Sequence, residues 1–184
     1  MKEWKLPAII SELNLTSEDL FVDIGGYKGD ATASVIRLFG CQAIIYEPYP
    51  EFYEKCRTRF DGNELVLVEM FGLGSGEGKR ELFYDDDGTS LFQGDDGVKV
   101  LIKDANEVLV PLRPKAIKIN AEGAEYEILD SLEEFADDML IQFHYRKQGM
   151  NEDYLRVHEK LSLTHKKLWE RKRWELWRRF PAIQ

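Results

Sequence analysis

The chain has 184 residues, of which 43% are hydrophobic and 32% charged, with a formal net charge of −9 and two cysteines. This length suits a single domain, residues 1–184, with a buried core, and its acidity argues against a phosphate backbone, so no nucleic-acid partner is expected. There is no apolar run of about 20 residues, no leader pattern after Met1 and no metal-ligand spacing between Cys41 and Cys56; a reduced, cytoplasmic protein without membrane span, disulfide or metal is expected.

Leu20–Ile24 (LFVDI) is a short apolar run ending in glycines, as a buried parallel strand entering a turn would be. Residues 31–39 carry Val35, Leu38 and Phe39 on one side of a helix. Gln42–Tyr46 reads as a second strand, and 65–70 as a third. Between them, 50–60 reads as a helix opened by Pro50, where a missing N–H is harmless. Strand and helix thus alternate as in parallel βαβ units with right-handed crossovers. The glycine-rich stretch 72–78 reads as a turn. Residues 80–84 and 98–102 read as short strands flanking a polar loop, 85–97. Regular order returns with a strand at 116–120, a helix at 124–132, a strand at 139–143 and a helix at 152–163. The last segment, KKLWERKRWELWRR, is basic and tryptophan-rich. Trp169, Leu176, Trp177 and Phe180 fit one helical face; residues 164–170 and 174–180 equally fit two strands around a turn near Lys172. Its charge would suit nucleic acid or an anionic surface, but basic residues also protect an edge hairpin from aggregation, and the acidity of the chain favours the hairpin.

The loop after the first strand, VDIGGYKGD, is built as a ligand cradle, with glycines that let the backbone approach and a helix N-terminus offering free N–H groups. A plain βα turn has the same glycines. The dinucleotide spacing G-x-G-x-x-G fails, because Gly25 and Gly26 are followed by Tyr27 and then Gly29. What remains, Asp23-x-Gly25-x-x-x-Gly29, resembles the first motif of class I methyltransferases. Asp23 is then expected to accept, directly or through water, from the ammonium of S-adenosylmethionine. Glu47 ends the second strand about 20 residues beyond the glycines, where a carboxylate suits both hydroxyls of a ribose, and Pro48 turns the chain away.

IKINAEGAEYEIL, residues 117–129, is similar to the signature of FkbM-type methyltransferases, K-I-D-V-E-G-A-E-x-x-V-L. VDIGGYKGD, YEPYPEFYEKC, FGLGSGEG, Gly88-Thr89-Ser90-Leu91 and IQFHY resemble further segments of that family, in the same order. The resemblance spans roughly residues 20–145. It implies an α/β Rossmann-like fold: a mostly parallel seven-stranded sheet with helices on both faces and a C-terminal antiparallel hairpin, which favours strands for 164–180. It implies methyl transfer from S-adenosyl-L-methionine, usually to a hydroxyl of a sugar, glycan or small natural product. By position in those motifs, Asp23, Gly25, Gly26, Tyr27, Gly29, Glu47, Pro48, Phe71, Gly72 and Asn120 are expected at the cofactor, and Thr89, Ser90 and His144 at the acceptor. His144 is the first candidate for general base, since it ends the fifth strand where ligands sit in open α/β sheets; Glu122 is the second. Asn120 is the third catalytic candidate and a departure, because the family carries aspartate there and an amide has neither charge nor basicity. A non-catalytic binding domain is the alternative. His158 and His165 fall outside these motifs and read as surface residues. The aspartates of the polar loop read as solvated, with no EF-hand spacing.

Overall fold

The computed structural model describes residues 6–85, 88–90, 97–144 and 150–181. The elements run α1 Leu6–Ile10, β1 Leu20–Ile24, α2 Asp30–Phe39, β2 Gln42–Tyr46, α3 Pro50–Arg59, β3 Val66–Glu69, β4 Gly72–Gly74, β5 Gly78–Asp85, β6 Gly88–Ser90, β7 Gly97–Asp104, α4 Ala105–Leu112, β8 Ala116–Ile119, α5 Glu125–Ser131, β9 Asp138–Gln142, α6 Met150–Ser162, β10 His165–Arg171 and β11 Trp174–Arg179.

Seven strands form the main sheet in the order β10-β11-β9-β8-β1-β2-β3. Neighbours from β3 to β9 pair in parallel, whereas β11 is antiparallel to both β10 and β9. This is the expected sheet, hairpin included. The helical alternative for the tryptophan segment fails because β11 lies between two strands, with Trp174, Leu176 and Trp177 all buried. Inward and outward residues then follow a period of two.

Apolar side chains fill both faces of the sheet. Val22, Ile117, Ile119, Ile141 and Phe143 meet Ile128, Leu129 and Val157 of α5 and α6. Phe21, Leu140, Leu176 and Trp174 meet Ile9 and Ile10 of α1 and Val35 of α2. Burying each such side chain stabilises the fold by about 1.5–3 kcal/mol.

Three expectations change. The glycines at 72–74 belong to a strand: β4 opens a second sheet, β4-β7-β5-β6. Glycine is needed there because a Cβ on Gly72 would lie 2.7 Å from Ile102 Cδ1 of the paired strand. His165 is buried, not superficial, with Nε2 2.6 Å from Ala136 O; burial holds its imidazole below the usual range. His158 is half-buried beside Trp177, and its Nε2 lies 2.9 Å from Glu175 Oε2. No described helix is long and apolar enough to cross a membrane.

Candidate active site

At the carboxyl end of the sheet, the ends of β1, β2 and β8 open onto a cleft that the second sheet roofs with Leu73, Arg80, Leu82 and Ile102. This is the position at which open α/β sheets bind ligands. Gly25, Tyr27, Glu47, Pro48, Gly72, Asn120 and Glu122 line it, so half of the residues expected from sequence converge.

Gly25 allows this convergence. It sits at φ 78°, and a Cβ there would stand 2.0 Å from the backbone oxygen of Asn120, so only glycine brings the two strand ends together. Gly26 and Gly29 serve packing: a Cβ on either would strike Ile45 or the Phe60 ring. The loop is further tied to α3 by Arg59, which donates to Lys28 O and pairs with Asp30.

Asp23 does not reach the cleft. It is fully buried, with Oδ2 accepting from Thr32 Oγ1 at 2.9 Å and Oδ1 2.8 Å from Lys118 Nζ. Lys118 also donates to Gly25 O at 2.6 Å. Of the two contacts expected of Asp23, direct or through water, the direct one is not available to a side chain paired with Lys118 beneath the loop, where the pair fixes Gly25 from below.

Glu47 is buried, and its two oxygens accept from the backbone N–H groups of Tyr49 (2.9 Å) and Tyr27 (2.8 Å). Burial pushes its carboxyl up to about 7 despite those bonds and the nearby Lys118 charge. A carboxylate has about four acceptor sites, so hydroxyl donors from the cleft still find lone pairs.

Asn120 lines the cleft, and its buried Oδ1 has no hydrogen-bond partner. An unsatisfied buried acceptor is costly, and a ligand donor would relieve it. The amide thus keeps the acceptor function of an aspartate while losing its charge.

Beside Asn120, residues 121–124 fold around Glu125. Its oxygens accept from Ala121 N (3.1 Å) and Gly123 N (2.8 Å), and Oε1 lies 2.5 Å from His144 Nδ1. The other ring nitrogen, Nε2, is 3.4 Å from Glu122 Oε2. His144 is only 3% exposed, so it stands behind Glu122 and not in the cleft wall. With Nδ1 donating to Glu125, the ring presents Nε2 towards Glu122.

Phe71 packs against Tyr46, with ring centroids 5.0 Å apart, rather than lining the cleft. Thr89 and Ser90 fall on β6, and their side chains lie outside the described residues. Among the described residues no cluster of three potential ligands could hold a metal ion.

Sequence reasoning did not find Arg80. Its guanidinium pairs with Glu127 of α5, which also accepts from Ser75 N (2.9 Å) and Oγ (2.7 Å). The Arg80 hydrogen bonds hold the Glu127 carboxyl down at about 2. The only signal was an arginine opening a predicted strand.

No protein-family model matches the chain, and no curated protein sequence matches it. Solved structures do resemble it in fold. The precorrin-6y C5,15-methyltransferase of Geobacter metallireducens aligns over 99% of this chain and 90% of its own, at 10% identity and a TM-score of 0.56. An rRNA methylase from Streptococcus thermophilus aligns over 95% and 94%, at 14% identity and 0.53. The fibrillarin/Nop5p complex contributes a chain aligned over 97% and 83%, at 12% identity and 0.59. The chain therefore has the class I methyltransferase fold.

Proposed function

We propose that the protein is an S-adenosylmethionine-dependent O-methyltransferase of the FkbM type, acting on a hydroxyl of a sugar, glycan or small natural product. The observation that carries this reading is a pair of buried acceptors with capacity left in one cleft. Glu47 has lone pairs left on a buried carboxyl, and Asn120 Oδ1 has no partner. The first suits a ribose diol; the second suits the ammonium of the cofactor's amino-acid end. Between them, Pro48, Phe52, Leu73, Leu82 and Ile102 offer an apolar slot for a flat base.

When bound, S-adenosylmethionine supplies a methyl group on a positive sulfur that departs as a neutral thioether. The protein's part is then chiefly positioning, worth about 7–11 kcal/mol in favourable cases. A hydroxyl acceptor must also lose its proton as the new C–O bond forms. Glu122 faces the cleft and His144 Nε2 lies behind it, so these two form the proton-accepting pair, with Glu125 orienting the imidazole. The second reading, a binding domain without turnover, is favoured only by Asn120, which removes the family's acid.

The test is transfer of labelled methyl to a panel of sugars and phenols by the natural chain, His144→Ala, Glu122→Gln and Asn120→Asp. Loss of about 10²–10⁴-fold in His144→Ala is expected. An unchanged rate in both His144→Ala and Glu122→Gln removes the base assignment, and absence of turnover in every chain including Asn120→Asp favours the binding domain.

A further inference from the structure

The basic tryptophan segment resolves into two groups of cations. Those on the strands, Lys166 apart, pair with acids. Arg178 Nε lies 2.6 Å from Asp138, Arg179 Nε 2.9 Å from Asp137 and Lys167 Nζ 2.9 Å from Glu170. Arg171 lies 2.9 Å from Glu12 and over the Trp169 ring. Lys166 is exposed at the far end of β10, opposite Arg178. Lys172 and Arg173 differ: both are exposed, and neither forms an ion pair or side-chain hydrogen bond with any described residue.

Their placement is specific. Arg171 pairs with Trp174, so these two residues are the whole turn between β10 and β11. Arg173 O accepts from Phe143 N at 2.9 Å, immediately before His144. The turn therefore stands at the carboxyl end of the sheet, with only β9 between β11 and the Asn120 strand. Two strand spacings, roughly 10 Å, separate β11 from the strand that carries Asn120 at the cleft's near side.

Their conformation is also unusual. Both have positive φ, 51° and 73°, as in a type I′ hairpin turn. Asn-Gly is the favoured pair there, because a Cβ opposes the left-handed region. Two long cationic side chains are held at the site's edge against that preference.

We propose that Lys172 and Arg173 recognise a single phosphate group carried by a small methyl acceptor. The proposal rests on the methyltransferase reading only in naming the carrier an acceptor. A point-charge ammonium and a planar guanidinium on adjacent residues suit one dianion. A nucleic-acid backbone would need a longer run of unpaired cations, and here the flanking ones are committed to Glu170 and Glu12.

Backbone amide shifts of residues 171–174 and Phe143 test this, with inorganic phosphate, glucose 6-phosphate and glucose added to the natural chain and to two double variants. Lys172→Asn with Arg173→Gly installs the favoured turn; Lys172→Gln with Arg173→Gln keeps side-chain length. Saturable shifts with phosphate and glucose 6-phosphate, but not glucose, are expected. Both variants should bind about tenfold or more weakly, while the Asn-Gly variant melts at a higher temperature. The proposal is overturned if the natural chain shows no shifts, if the variants respond equally, or if a twelve-residue oligouridylate binds more than about tenfold tighter than glucose 6-phosphate. S-adenosylhomocysteine binding is measured in parallel. Its loss from the natural chain would sink the methyltransferase reading and leave the phosphate result independent; its loss from the variants alone would overturn the separate anion point.

Discussion

Glu47 ionises against its surroundings, since burial lifts its carboxyl from 4.5 to about 7. An acid raised in the folded state makes the free protein less stable as pH rises from about 4.5 to about 7, with no further change above. A ligand diol favours the ionised form, so affinity for S-adenosylhomocysteine should rise with pH through about 7. Titration calorimetry from acid to mildly alkaline pH checks this, and Glu47→Gln should flatten the profile and weaken binding by about 1.5–3 kcal/mol. Lys118 makes a different claim. Lys118→Met leaves Asp23 as a buried, uncompensated charge, which should cost about 3–5 kcal/mol in urea unfolding. Adding Asp23→Asn should recover much of that loss. The roles of these two residues were only half legible in the sequence. Glu47 could be placed by its distance from the glycines. That Asp23 faces Lys118 depends on strand register, which pairs the two across β1 and β8.

At the scale of elements, the periodic segments were readable and those set by long-range contact were not. β1, β2 and α2 follow from local pattern, whereas the hairpin, which periodicity left open to a helix, followed only from the motif resemblance. β4 was hidden by its own glycines, which signal a turn locally but here admit Ile102. α4 was hidden by Pro111. A signal was present all the same: Asp104 caps it by accepting from Asn106 N (2.8 Å) and Glu107 N (3.3 Å), with Glu107 in the first turn. The roof of the cleft could not be read because it depends on β5 meeting α5 through Arg80 and Glu127, 47 residues apart. That clasp has a pH signature. Glu127 is held down at about 2, so its contribution is present above about 4.5 and lost as pH falls towards about 2. Arg80→Met should cost about 1 kcal/mol at neutral pH, because both partners are partly exposed. Thermal melts near pH 2.5 should show the difference shrinking.

For the molecule as a whole, the candidate groups gather at one end of the sheet. The β1 loop, Glu47, Asn120, the Glu122–His144–Glu125 group and the Lys172–Arg173 turn all stand at carboxyl ends or the hairpin beside them. The sequence motifs marked the parts that lie on parallel strands. A turn near Lys172 was expected, but its place beside these groups depends on β11 inserting between β9 and β10. Neighbouring folds at 10–14% identity fix the architecture and leave the ligand to be measured. The most direct measurement is calorimetric titration of the natural chain with S-adenosylmethionine, S-adenosylhomocysteine and NAD. One site per chain is expected for the first two, weakened by Glu47→Gln, and no heat of binding with NAD. Binding of NAD alone, or of none of the three, would contradict the methyltransferase reading.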